Sequence, residues 1–233
     1  LTGMRPGCQA RLRELLGFTG QPAAAWRGID ERLLEWIGSD FRSVGAIVSL
    51  PSPHAQALSA TARVDCWGIR RDLIGGDWQI THHPLRDATV ADLAAFPWPE
   101  PRIDESLLAT WETQAKQLRA EGRHVVVGEH PVFGILELGC WMCGYDDFLM
   151  RLAADPDFVL RFFERVFAIQ MAVVEQYYAV LGPHIDLTTS GDDFGTQRGL
   201  FMSPPMWRDF VKPYLRERIA YTAQFTDAHY MHH

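Results

Sequence analysis

In the second half of the chain, short apolar runs alternate with longer segments whose apolar residues recur at helical spacing. His124 to Gly128 (HVVVG) is apolar throughout, the pattern of a parallel strand buried on both faces. Ile185 to Thr189 reads as the next strand and Ala228 to Met231 as a short last one. The intervening segments read as helices. One spans Glu105 to Glu121 and stops at Gly122. A second starts at Asp155-Pro156, an N-cap followed by proline at the first helical position. It carries the rows Phe158, Phe162, Val166 and Val159, Phe163, Phe167, and ends at Gly182-Pro183. Ser203-Pro204 caps a third, with Met206, Phe210, Tyr214 and Trp207, Val211, Leu215 on its buried side; Lys212-Pro213 should kink it.

Before the stiff Pro97, Pro99, Pro101 linker the pattern is irregular. A short helix is expected from about Asp30, its N-cap, to Ile37, with Gly38 beyond its end. Val44 to Leu50 reads as a strand, and Val64 to Ile80 as a hairpin about Gly75-Gly76. We therefore read residues 1–233 as one domain, irregular over 1–101 and built of regular βα units over 102–233.

Alternating strands and helices argue for an α/β fold with a parallel sheet. The chain has no G-x-G-x-x-G and no phosphate-binding loop, which weighs against an open nucleotide-binding sheet and favours a (β/α) barrel of TIM type. Eight units need more residues than are present after the first regular strand. We expect an incomplete barrel, a piece of a longer protein.

Composition narrows the partners. Lys+Arg number 22 against 29 Asp+Glu, a formal charge of -7 without basic runs, so a nucleic-acid partner is not expected. No apolar run approaches the roughly 20 residues of a membrane span. Four cysteines are too few for a disulfide-built scaffold. A soluble, cytoplasmic enzyme acting on a small molecule is the simplest expectation, with a homodimer as one assembly.

Parallel α/β folds bind ligands at the C-terminal ends of their strands. Three such ends carry polar residues here: Glu129-His130, Asp192-Asp193 and His232-His233. Asp192 and Asp193 are the catalytic candidates, and His130 is a substrate-binding one. Cys140 and Cys143 form a C-x-x-C, but no second pair completes a zinc site, so two core thiols are expected. Arg63, Arg70, Arg71, Arg86, Arg123 and Arg198 are scattered along the chain, and some could converge on an acidic substrate.

Several stretches closely resemble the uroporphyrinogen decarboxylase superfamily: VDCWGIRRDLIGGDWQITHHPLRDATVADLAAFPWPEP, the region from GILELG through GYDDFLMRLAADPDFV, and above all GDDFGTQ with the S-P-x-x-[WY]-x-x-[FY]-x-K-P-Y pattern from Ser203 to Tyr214. The resemblance implies a (β/α)8 barrel. It also implies one of two chemistries: decarboxylation of tetrapyrrole acetate side chains without a cofactor, or methyl transfer between a corrinoid, carried by a partner protein, and a thiol or folate acceptor. Zinc activates the thiol in the thiol-specific members.

The decarboxylases' R-Q-A-G-R-Y segment and F-S-D-I aspartate have no match here, and their M-T-Y-M-V-E-G region falls near Cys140 in LGCWMCG. The resemblance therefore favours the methyltransferase-related branch. It implies substrate contacts by Trp141, Gln197 and Arg198 beside His130. His233 matches the histidine of an H-x-C zinc motif. A barrel fragment without catalysis, held by a partner chain, is the remaining alternative.

Overall fold

The computed structural model describes Met4, residues 6–21 and residues 28–233. The chain opens with α1 (Pro6–Leu15) and α2 (Glu31–Trp36). Ile29, Leu33 and Leu34 bury a small separate core with Met4, Leu12, Leu16 and Phe18. Asp30 caps α2 as its sequence position requires, accepting from the Arg32 N–H at 3.1 Å.

Strand β1 (Phe41–Val44) follows. It lies earlier than the expected Val44–Leu50 run, because Gly45 turns into the left-handed region (φ 79°) and ends the extended stretch. Val48 and Leu50 remain buried, but in a loop whose Val48 N–H bonds the Pro131 carbonyl at 3.0 Å.

The segment read as irregular then builds an antiparallel meander: β2 (Gln56–Ser59), β3 (Ala62–Val64), β4 (Arg70–Ile74) and β5 (Asp77–His82). The Gly75-Gly76 hairpin is present, both glycines at positive φ. Strand β2 is exposed on both faces, which erases the apolar alternation, and β3 is only three residues long, too short to show one.

Next come α3 (Val90–Ala95), α4 (Glu105–Glu121), β6 (Val125–Glu129), α5 (Ile135–Cys143), α6 (Tyr145–Ala154) and α7 (Pro156–Leu181). The last part holds β7 (Leu187–Ser190), the small hairpin β8 (Gly195–Thr196) and β9 (Gly199–Leu200), α8 (Pro204–Phe210), α9 (Lys212–Thr222) and β10 (His229–His232). Lys212-Pro213 does more than kink the third expected helix; it divides it into α8 and α9.

Strands β1, β6, β7 and β10 form one parallel sheet in that order. A doubly wound sheet reverses its strand order at a switch point, whereas a barrel adds strands consecutively. Side chains on the helix-covered face include Val44, Val126, Thr188 and Tyr230. The Tyr177 hydroxyl of α7 donates to the Val44 carbonyl, and Tyr178 meets Thr188 at 2.5 Å. The opposite face ends at both edges in exposed apolar residues, Phe41 (41%) and Met231 (49%). This is an α/β fold with a parallel core, consistent with a partial TIM-barrel-like arrangement. Among the described residues no helix is long and apolar enough to cross a membrane.

The meander is fixed at the C-terminal end of the sheet. Just after β5, the His83 ring bonds the Trp141 carbonyl of α5 at 2.7 Å, and the Leu85 N–H bonds that of Met142 at 2.8 Å.

Candidate active site

The tips of β6, β7 and β10 adjoin, since the strands are neighbours in the sheet. The His130 N–H bonds the Thr189 carbonyl (3.0 Å) and the His233 N–H bonds that of Ser190 (2.9 Å). Strand alternation then sorts their side chains to opposite faces. Thr189 and Glu129 meet on the face away from the helices, at 3.3 Å. His130 turns toward the helices and is buried between Tyr178 and Tyr230, its ring edge-on to both.

Asp192 links two of the strand-end loops. It is 3% exposed and accepts the backbone N–H groups of Leu136 (3.0 Å) and Glu137 (2.8 Å). Those amides belong to the first turn of α5, whose own N-cap, Gly134, has no side chain to supply. Asp192 is therefore a cap in trans. Burial raises its pKa to about 6, against the lowering effect of these amides and of Arg218.

Sequence reasoning passed over Glu137. Its pKa is raised to about 7, first by burial and then by the charges of Asp192 and Asp193; Arg71 pulls the other way. A signal was available, since Glu137 is the one acid in the apolar run GILELG.

Asp193 stands beside it, exposed, with its carboxylate 3.6 Å from Nδ1 of the equally exposed His233. Tyr145, at the start of α6, feels the charges of Glu137 and Asp193 and lies against Phe201 with ring centroids 5.7 Å apart. On the other side Trp141, one helical turn after Glu137, carries the Arg71 guanidinium 4.9 Å above its ring. Asp65 lies 3.5 Å from that same guanidinium. Glu137, Asp192, the Asp193–His233 pair and the Trp141–Arg71 pair thus form one cluster at the strand-end loops.

Between α7 and α9 lies a cavity of about 10 Å³, at the lower limit for one water molecule. Asp192, Gln170, Arg218 and His232 line it. Arg218 and Gln170 both donate to the Phe133 carbonyl, at 3.2 and 3.1 Å. Burial and the Arg218 charge hold the His130 ring well below the usual histidine range, and they bring His232 down to about 4. Both rings are neutral near pH 7. His130, buried between Tyr178 and Tyr230, belongs to the packed layer on the helix side of the sheet.

Gln197 and Arg198 sit exposed in the β8–β9 turn, where the Arg198 N–H bonds the Thr196 hydroxyl at 3.1 Å. Phe201, just after this hairpin, packs against the Tyr145 ring. Cys140 and Cys143 are free and buried, and burial pushes both thiols far above the ordinary range. Such thiols are poor thiolate ligands. Among the described residues no three His, Cys, Asp or Glu side chains come together as a metal-holding group.

Neither a protein-family model nor a curated protein matches the chain. Among solved structures, a methyltransferase from Methanosarcina mazei shares its fold, with a TM-score of 0.53 and 14% identity over 96% of this chain. The match covers 60% of that methyltransferase, so the chain spans about three-fifths of its relative's length.

Proposed function

We propose that the chain carries the acceptor-activating part of a barrel methyltransferase, moving a methyl group from a corrinoid substrate to a thiol- or folate-type acceptor. The fold shared with a methyltransferase supports a barrel of this kind. The observation that carries the reading is Glu137: a half-buried carboxyl with a pKa near neutrality, held in the first turn of α5 within reach of the charges of Asp192, Asp193 and Arg71.

The chemistry asks for such a group. A thiol acceptor keeps its proton at neutral pH, and the proton must leave as the sulfur–carbon bond forms. The methyl carbon breaks from cobalt, leaving the bonding pair behind, while the S–H proton passes to the Glu137 carboxylate. A base with a pKa near the working pH has both the unprotonated population and the basicity for this step. Asp192 is a positioning residue here, since it fixes the turn that presents Glu137. Asp193 and His233 supply polar contacts beside it.

The test is transfer from methylcobalamin to simple thiols and to tetrahydrofolate, read by the cobalamin spectrum. Turnover that Glu137→Gln abolishes while the fold is retained supports the proposal. Absence of transfer to every acceptor, or full activity in Glu137→Gln, overturns it.

A further inference from the structure

The meander beside α5 has two chemically different faces. On one, Arg70 pairs with Asp72 at 3.0 Å, and Thr81 donates to the same carboxylate. That face neutralises its own charge.

The other face does not. The β3–β4 register sets Arg63 directly opposite Arg71, so the two cationic side chains share a face. Like charges opposed across strands are destabilising. Each guanidinium lies over a tryptophan, Arg63 4.3 Å above Trp78 and Arg71 4.9 Å above Trp141. Asp65 serves Arg71 at 3.5 Å, whereas Arg63 is exposed. Leu73 and Trp78, opposed across β4 and β5, continue this face and remain partly exposed. Arg71 ties it to the Glu137 cluster, because its charge is felt at Glu137.

From this arrangement we propose that Arg63 and Arg71 form an anion clamp beside the Glu137 cluster, taking a carboxylate-bearing ligand whose flat apolar body lies against Trp78 and Leu73. A carboxylate accepts paired N–H bonds from a guanidinium, and stacking on a ring holds that guanidinium in orientation before the ligand arrives. A bound carboxylate would also relieve the repulsion between the opposed arginines. The proposal deepens the functional reading above, since it names the substrate class for the same site, and it rests on that reading for the word substrate alone.

Titration calorimetry with isophthalate tests the clamp without any methyl donor. The expected result is saturable binding that weakens with added salt, falls at least tenfold in Arg63→Gln and in Arg71→Gln, and is absent for benzamide, which lacks the charge. Arg63→Lys keeps the charge but not the fork, and is expected to recover part of the affinity. Melting curves check that each variant folds; if Arg71→Gln melts early because Asp65 loses its partner, the Arg63 pair decides alone. No saturable isophthalate binding, or binding unchanged by Arg63→Gln, overturns the clamp. Binding without methyl transfer would leave the clamp standing and remove the methyltransferase reading; transfer without binding would do the reverse.

Discussion

The Asp192 carboxylate accepts the Glu137 backbone N–H at 2.8 Å while its charge helps hold the proton on the Glu137 side chain. One buried group thus places its neighbour in space and tunes it. Burial and the charge of Asp192 bring the Glu137 carboxyl to about 7, and burial brings Asp192 to about 6.

The raised pKa makes stability depend on pH in a definite direction. A carboxyl whose pKa is raised by folding keeps its proton in the folded chain after the unfolded chain has lost it. Stability therefore falls as pH climbs from the ordinary glutamate value of 4.5 to about 7. Glu137→Gln removes this loss. Its melting temperature should exceed that of the parent at pH 8, with a gain on the order of 1–2 kcal/mol after allowing for partial solvent contact, and should match it near pH 4. Calorimetry at the two pH values checks this, and an equal shift at both would refute it.

The same group predicts a rate profile. If the Glu137 carboxylate takes the acceptor's proton, kcat for methyl transfer to a low-pKa thiol should rise with pH and reach half its plateau near pH 7. A Glu137→Asp variant, whose shorter side chain retracts the base, should keep the profile at a lower plateau.

Asp192 is expected to be structural first. Asp192→Ala leaves two buried amides of α5 without an acceptor and should destabilise the fold by about 2 kcal/mol. Asp192→Asn retains an acceptor oxygen and should cost less. Denaturant titration of both variants separates loss of the cap from loss of charge.

Gly134 bears on the same joint. A Cβ at that position would overlap the Asp192 carboxylate, so Gly134→Ala must displace either the loop or the cap. A destabilisation of about 1–3 kcal/mol is expected. The Glu137 carboxyl should move with the cap, and its carboxyl carbon resonance followed against pH would report a changed midpoint.

Asp193 should behave differently from its neighbour. It is exposed, and its one close partner is the exposed His233. Asp193→Ala should change stability by no more than about 0.5 kcal/mol while raising KM several-fold. Loss of cooperative melting in this variant would instead give Asp193 a structural role.

Much of the helical half was legible in the chain. Asp155-Pro156, Ser203-Pro204 and Gly122 mark boundaries through local chemistry, and their helices begin and stop there. The apolar run around Val126 declared a buried parallel strand, because a strand covered on both faces has no polar alternation to hide it. The strand-end positions of Asp192, Asp193 and His233 followed from the same reading. What sequence could not fix was which way each side chain faced: a one-residue step along a strand reverses its face, and this sent His130 into the packed layer behind the sheet. Nor could it show that Asp192 reaches α5, 55 residues earlier in the chain, to cap Glu137. Caps within a helix are written in neighbouring letters, whereas a cap in trans and a pKa raised by burial exist only once distant segments have excluded water together.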